Sequence, residues 1–486
     1  MKKKISTSRR DFLKTSSTVA AAATLAGGLT IGRSAYAAGD DLIRVAQIGC
    51  GGRGNGAIRQ RIEVGDNLKV VAVADAFEGA AQENAKKLLE DEKYKAKVAP
   101  NVAAFGGTDS YIKAIDMLKP GDQVVIATPP GFRPFHYKLA VERGLHVFME
   151  KPCCVDAAGF RMLQEANKIA DDKNLKILVG LQRRYDPGFQ QFIKQVHDGA
   201  IGDVLFSRVY WNGGGIWQRH RNVGEKEVNF QVRNWYHFVW LCGDNMTEQH
   251  VHNIDVGLWM HGKGDKHFHP VECNAQGGRQ NTIPYELRRK APPFADREAW
   301  DKFFQENKGA FGRHGEAWDH FFCEFTFADG NKMFSQCRHI GNTWGSVSNW
   351  VHGTKGHGFV EGGAWLKGYD GSEIYKGPAS SGAFALEHRV HVDAIRGTKE
   401  LWKEDTMNFG WNGAYSSFTA CLGRYAAQSG KIVKWDDAVE KGTTAMPTDT
   451  NGVFDMNSDT APVMPDADGF YEDKVAKAGV FDALKG

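Results

Sequence analysis

Residues 42–54 read Leu42-Ile43-Arg44-Val45-Ala46-Gln47-Ile48-Gly49-Cys50-Gly51-Gly52-Arg53-Gly54. Leu42–Ile48 has the length and apolar content of a buried strand, and a helical segment from Asn55 to Glu63 follows the glycines. Each glycine has a physical reason to be there. Gly49 permits a tight turn, Gly51 lets the backbone approach a pyrophosphate, and Gly54 allows close helix–strand packing, with Gly52 and Arg53 completing the loop. Phosphates at this place meet the free N–H groups of a helix N-terminus. The second strand, Lys69–Ala74, ends in Asp75, 21 residues past Gly54. A carboxylate there accepts from a ribose 2′-hydroxyl and repels a 2′-phosphate, which favours NAD over NADP.

Two more βα units follow. Gln123–Ala127 runs into Thr128-Pro129-Pro130, and His136 opens a helix; His146–Met149 runs into Glu150-Lys151-Pro152. Strands alternating with helices predict an α/β fold with a parallel, doubly wound sheet. Ligands bind at the carboxyl ends of such strands, so Thr128 and Lys151 point to one crevice.

Upstream, Lys2, Lys3, Lys4 and the Arg9-Arg10 pair precede a weakly apolar run from Val19 to Ile31, and Ala35-Tyr36-Ala37 supplies a cleavage site. This is the pattern of a twin-arginine export signal over residues 1–37, with a mature chain from Ala38. The run is too short and glycine-rich for a membrane span. It predicts a periplasmic or otherwise exported protein, with the twin-arginine translocation machinery as partner. Seven of the 61 Lys/Arg and one of the 58 Asp/Glu lie in the signal, so the net +3 of the whole chain becomes an excess of three acids in the remainder. No basic patch argues for nucleic acid. The eight cysteines form no C-x-x-C pair and read mostly as small buried apolar residues.

The glycine loop, the acid after the second strand, Thr128-Pro129 with His136, and Glu150-Lys151-Pro152 resemble the family of glucose–fructose oxidoreductase, inositol dehydrogenase and rhizopine-catabolism proteins. The likeness continues through Val179-Gly180-Leu181-Gln182-Arg183-Arg184-Tyr185, Glu387-His388 and Gly423-Arg424-Tyr425-Ala426 to Trp435-Asp436. It implies that a Rossmann dinucleotide-binding domain is followed by an α+β domain with a large open-faced, mostly antiparallel sheet. His320–Phe327 and Lys332–His339, joined by Ala328-Asp329-Gly330-Asn331, read as a hairpin of that sheet. The expected division is a signal at 1–37, an NAD-binding domain at 38–155, an α+β substrate and oligomerisation domain at 156–440, and a tail at 441–486. The resemblance also implies a homodimer or homotetramer. It places Gly49, Gly51, Gly52, Arg53, Gly54, Asp75, Thr128, Pro129, His136, Glu150, Lys151 and Gln182 against the cofactor.

Family members carry Asp-x-x-x-His where this chain has Glu248-Gln249-His250-Val251-His252. The alignment makes His252 the catalytic histidine and puts Glu248 in the place of the Asp, a departure that adds a methylene. On one helix, residues 248, 252, 255 and 259 would share a face, so Glu248 could support His252. His250 would lie roughly 200° round from His252. Glu248, His250 and His252 could also be read as zinc ligands, but alternate histidines on a helix diverge, and no metal is expected. In the hydride-transfer reading His252 is the general base and Lys151 stabilises developing alkoxide charge. A core histidine and a surface lysine are the bland alternatives.

Gly213–Trp240 looks like an insertion beside the crevice, with the glycines, aromatic faces and donors of a sugar site. A surface loop packed on a neighbouring subunit would have a similar composition. Trp235 in this insertion and Tyr185 in the likeness join Lys151, Glu248 and His252 as candidates for substrate contact. Residues 280–318 read as an irregular excursion, and the Asp-, Pro- and Thr-rich stretch from Thr443 to Gly469 as a tail wrapping a surface. These readings predict an exported NAD-dependent oxidoreductase of a sugar, sugar derivative or cyclitol, with its cofactor tightly bound. The alternatives are an NAD-dependent glycoside hydrolase working by transient oxidation, and a silent sugar-binding protein.

Overall fold

The computed structural model describes residues 42–279, 296–307, 315–341, 343–378, 383–398 and 407–467, with single positions 290, 292 and 471. The export signal and its cleavage site lie outside the described residues, as does most of 280–318, of which a helix at Arg297–Asn307 is described.

Six short strands build the first sheet: β1 (Ile43–Ile48), β2 (Leu68–Asp75), β3 (Val98–Gly106), β4 (Gln123–Ile126), β5 (His146–Met149) and β6 (Ile177–Val179). All pair in parallel, in the order β3-β2-β1-β4-β5-β6. β4 and β5 are buried along their whole length, as befits strands covered on both faces. The order reverses between β1 and β4, and a crevice opens there at the carboxyl ends. β6 lies beyond the boundary expected at residue 155, because the helix Ala157–Asp172 returns the chain to pair a further strand with β5.

The second sheet has nine strands: β7 (Val204–Gly213), β8 (Glu272–Gly278), β9 (His320–Thr326), β10 (Lys332–His339), β11 (Ser346–Gly353), β12 (Gly356–Val360), β13 (Ala364–Gly368), β14 (Glu373–Gly377) and β15 (Val433–Lys434). Its order is β14-β13-β12-β11-β7-β10-β9-β8-β15, antiparallel except where β7 meets β10. Burial alternates strictly along β10, with Met333, Ser335, Cys337 and His339 on the buried face. The expected hairpin joins β9 to β10, with Gly330 at φ +84° in the turn. The helix Gly410–Ser429, buried along almost its whole length, packs between the two sheets' cores through Phe418, Leu422 and Tyr425. All eight cysteines are free and buried. Among the described residues no helix is long and apolar enough to cross a membrane.

The tail forms a strap. Ala445 and Met446 donate their N–H groups to Asp156 Oδ2 (2.7 and 2.9 Å), whose other oxygen caps the helix Ala157–Asp172 through Gly159 N–H (2.7 Å). Thr108 Oγ donates to the Phe454 carbonyl (2.7 Å) and accepts from its N–H (2.8 Å), and Tyr111 donates to the Asn451 carbonyl (3.0 Å). The Phe454 ring tilts onto Trp240 at 5.1 Å and meets Phe132 edge-on at 6.1 Å. Asp156 is fully buried and all its described partners are backbone N–H groups. Asp156→Ala should therefore lose about 3 kcal/mol from the cap and the charge-assisted bonds together. Chemical denaturation would measure the loss, and limited proteolysis should cut the strap before the sheets; unchanged protection of residues 443–467 would contradict this anchoring.

Candidate active site

The crevice is a cavity of about 710 Å³ that reaches from the glycine loop to the aromatic insertion. At its first end the helix begins at Gly52, three residues earlier than the sequence suggests, with Gly51 as its N-cap. Gly49 has φ +96°, and a Cβ there would stand 2.7 Å from the Ala127 carbonyl. A Cβ on Gly54 would stand 2.0 Å from the Gly49 carbonyl oxygen, which is the close approach that position requires. Gly51 and Gly52 face open space. The first-turn N–H groups of the helix are thus left for a ligand's phosphates. Asp75 accepts from Cys50 N–H (2.7 Å) and Phe77 N–H (2.9 Å), which fixes the loop as well as presenting a carboxylate to the cavity. Burial pushes its pKa up, against those two bonds. The loop, its helix and Asp75 fit a dinucleotide.

Thr128, Pro129, His136, Glu150, Lys151 and Gln182 all line the cavity. His136 pairs its Nδ1 with Thr128 Oγ at 3.2 Å and stacks on Tyr111 at 4.1 Å. The Gln182 Oε1 atom is buried without a hydrogen-bond partner. Arg53 lines the cavity too, but its guanidinium is committed: it pairs with Glu150 and, at 3.0 Å, with Glu387. Two buried carboxylates therefore hold its charge at the cavity wall. Burial, then the Glu150 charge, push Glu387 well above the usual carboxylate range.

Lys151, Glu248 and His252 come together at the far side of the loop. Lys151 Nζ donates to Glu248 Oε1 (2.9 Å) and to the Glu248 carbonyl (2.7 Å). Burial raises the Glu248 pKa while the Lys151 charge opposes it, and Oε2 of the same carboxylate is buried without a partner. The single helical face expected for 248–259 is not formed. Glu248 ends a short turn, Asn245–Glu248, and a separate helix runs from Val251 to Gly262. Among the described residues no hydrogen bond joins Glu248 to His252; Lys151 has taken the carboxylate. His252 stacks at 6.0 Å from Trp211, and its Nδ1 is buried without a partner. Burial first, then Lys151, Arg183 and Arg53, hold this imidazole well below its ordinary pKa, so it is neutral at neutral pH. His250 turns elsewhere and pairs with Ser335 Oγ at 2.7 Å.

The insertion supplies the other wall, with Trp217, Arg219, Arg233, Trp235 and Tyr236. Tyr185 does not reach the cavity. It is buried, with its ring edge-on to Phe409 at 5.5 Å. Sequence reasoning missed Gln249, Phe132, Arg133 and Phe384, which also line the cavity. Arg133 had a local signal, three residues after Pro130: its guanidinium donates to the carbonyls of Thr128 and Pro152 and ties the two strand ends together.

Residues 43–181 match the model of the oxidoreductase family with an NAD-binding Rossmann fold, and residues 6–26 that of a twin-arginine translocation signal sequence. The chain is 30% identical over 223 residues to inositol 2-dehydrogenase of Serratia proteamaculans, covering 45% of this chain and 54% of that enzyme. It spans about half the length of the curated relatives it matches. Two solved structures share the fold. GenD2 from gentamicin A biosynthesis, in complex with NAD, has a TM-score of 0.55 at 17% identity, with 81% of this chain and 96% of that one covered. Myo-inositol 2-dehydrogenase from Lactobacillus plantarum has 0.53 at 19%, covering 81% and 99%.

Behind Arg53 and Glu387, His388 is fully buried, tilted on Phe148 at 4.2 Å, with neither ring nitrogen hydrogen-bonded. Burial, then Arg61 and Arg53, depress its pKa well below the ordinary value. Unfolded, this histidine takes a proton as pH falls through about 6.5; folded, it does not, so its contribution to stability is lost below that pH. His388→Phe should gain on the wild type by up to about 1.4 kcal/mol per pH unit below 6.5. Paired urea titrations at pH 7.5 and 5.5 test this, and a pH-independent difference would mean that His388 titrates normally in the fold.

Proposed function

We propose that this exported protein, whose residues 43–181 match the oxidoreductase family with an NAD-binding Rossmann fold, oxidises a secondary alcohol of a sugar, sugar derivative or cyclitol. The observation that carries the reading is that one cavity joins the glycine loop to Lys151, Glu248 and His252. A bound nicotinamide supplies the hydride acceptor. The chain's own residues handle the proton and the charge. Neutral His252 accepts the hydroxyl proton of the substrate as general base. The Lys151 ammonium donates to the same oxygen and stabilises the negative charge that develops on it. Glu248 holds that ammonium in place through its carboxylate and its carbonyl. Gln182, with an unpartnered buried oxygen, and Trp235 complete the contacts.

The Asp75 carboxylate favours NAD over NADP by repelling a 2′-phosphate. Tight retention is supported by two features. The twin-arginine route carries folded proteins, and the strap packs on Thr108, Tyr111 and Phe132, which also line the cavity. A cofactor so held would have to be reduced by one substrate and reoxidised by another without leaving the cavity.

Lys151→Ala and His252→Ala should each lower turnover by about 10²- to 10⁴-fold while the protein still releases NAD(H) on denaturation. Full activity in either variant removes that residue from the mechanism, and absence of NAD(H) from natively exported protein rejects tight binding. Sugars are offered without added cofactor, and absorbance of the reduced ring is followed. Reduction by one sugar and reoxidation by another supports the oxidoreductase; cleavage of an aryl glycoside without net redox change would make it a glycosidase instead. In a separate test Asp75→Ser should bring NADP affinity close to that for NAD; an undiminished preference for NAD would free Asp75 of that role.

A further inference from the structure

The lysine and arginine side chains lining the cavity are accounted for with one exception. Lys151 is paired with Glu248, Arg53 with Glu150 and Glu387, and Arg233 with Glu225; Arg133 is held by two carbonyls. Arg219 is different. Its backbone N–H donates to Asn234 Oδ1 (2.8 Å), which fixes the residue to the insertion. Its guanidinium lies 5.3 Å over the Trp217 ring and, among the described residues, makes no ion pair and donates no hydrogen bond. Trp217 is itself set edge-on to Trp235 and Tyr236 at 6.0 and 5.9 Å, so the platform beneath the arginine is braced. Arg219 is exposed, and a guanidinium held over an indole can present its N–H edge outward, a planar fork matching the two oxygens of a carboxylate or phosphate. Neutral polyols offer no such partner.

Resting on the reading that this cavity takes a carbohydrate, we propose that the substrate carries an acidic group, which Arg219 receives. The aromatic wall then meets the apolar face of the ring, and the oxyanion end is held at Arg219, away from the group that reacts. The substrate class is a sugar acid or a sugar phosphate rather than a neutral sugar or inositol.

Calorimetry on the holoprotein tests this with matched probes: glucuronate, galacturonate and glucose 6-phosphate against glucose, galactose and myo-inositol. The expected result is that at least one anionic probe binds about tenfold or more tightly than its neutral counterpart, the strength of a charge-assisted pair. Arg219→Gln should bring that ratio down to about one, and Arg219→Lys should leave it in between, since a lysine keeps the charge but not the fork. Which anionic probe shows the effect tells carboxylate from phosphate. Equal or tighter binding of the neutral probes, a ratio untouched by Arg219→Gln, or no binding of any carbohydrate overturns the proposal. Cofactor absorbance, followed in parallel, separates the two readings. Arginine-dependent binding of an acid with no change in the cofactor upholds Arg219 and rejects the oxidoreductase, whereas oxidation of a neutral sugar with no preference for acids does the reverse.

Discussion

The Lys151–Glu248 pair is the interaction on which the crevice depends. Lys151 leaves the end of β5 and Glu248 ends a turn that leads into the helix of His252, so the pair ties the parallel sheet to the elements of the second sheet. Both side chains are nearly buried, at 11% and 7% exposure. Each charge there needs the other, because removing one partner of such a pair strands the survivor at a cost of about 3–5 kcal/mol. The same arrangement keeps the ammonium aimed, and its charge adds to the burial that already holds His252 without a proton. One contact thus sets position and the join between the two halves, and reinforces the charge state that burial sets.

Buried carboxylates do a related job elsewhere. Asp75 and Asp156 each collect backbone N–H groups from segments distant in sequence or from a helix start. A carboxylate can accept several such bonds at once, which makes it suited to fastening loops that have no ladder of their own. Asp75 holds its own loop in this way while it also lines the cavity.

Legibility in the sequence followed how local each constraint is. Gly49 and Gly54 are forced by backbone contacts within the loop and the adjoining strand, so residue type alone reveals them. The order β1, β2, β4, β5 could be read from apolar runs, whereas β3 was missed because most of its residues are half-exposed. Lys151 and His252 stood out by motif, but the break between Glu248 and Val251 did not, since the pull of Lys151 on Glu248 comes from 97 residues away. Tyr185 is a candidate only through the family likeness, while the ring it packs on, Phe409, lies far along the chain. The strap's composition suggested a wandering tail; its anchors Met446 and Phe454 find their partners only in the fold.

The strap also imposes an order in time. Ribosomes deliver a chain from its amino end, so the twin-arginine signal emerges early and the segment that fastens to Thr108, Tyr111 and Asp156 emerges only after every strand of both sheets. Until that segment is released, Asp156 lacks two of its partners, and the apolar seam around Trp240 and Phe132 stays open to water. A nascent molecule therefore displays its address before it can finish its wall. A product that stops before Ala445 lacks these anchors and leaves the seam uncovered.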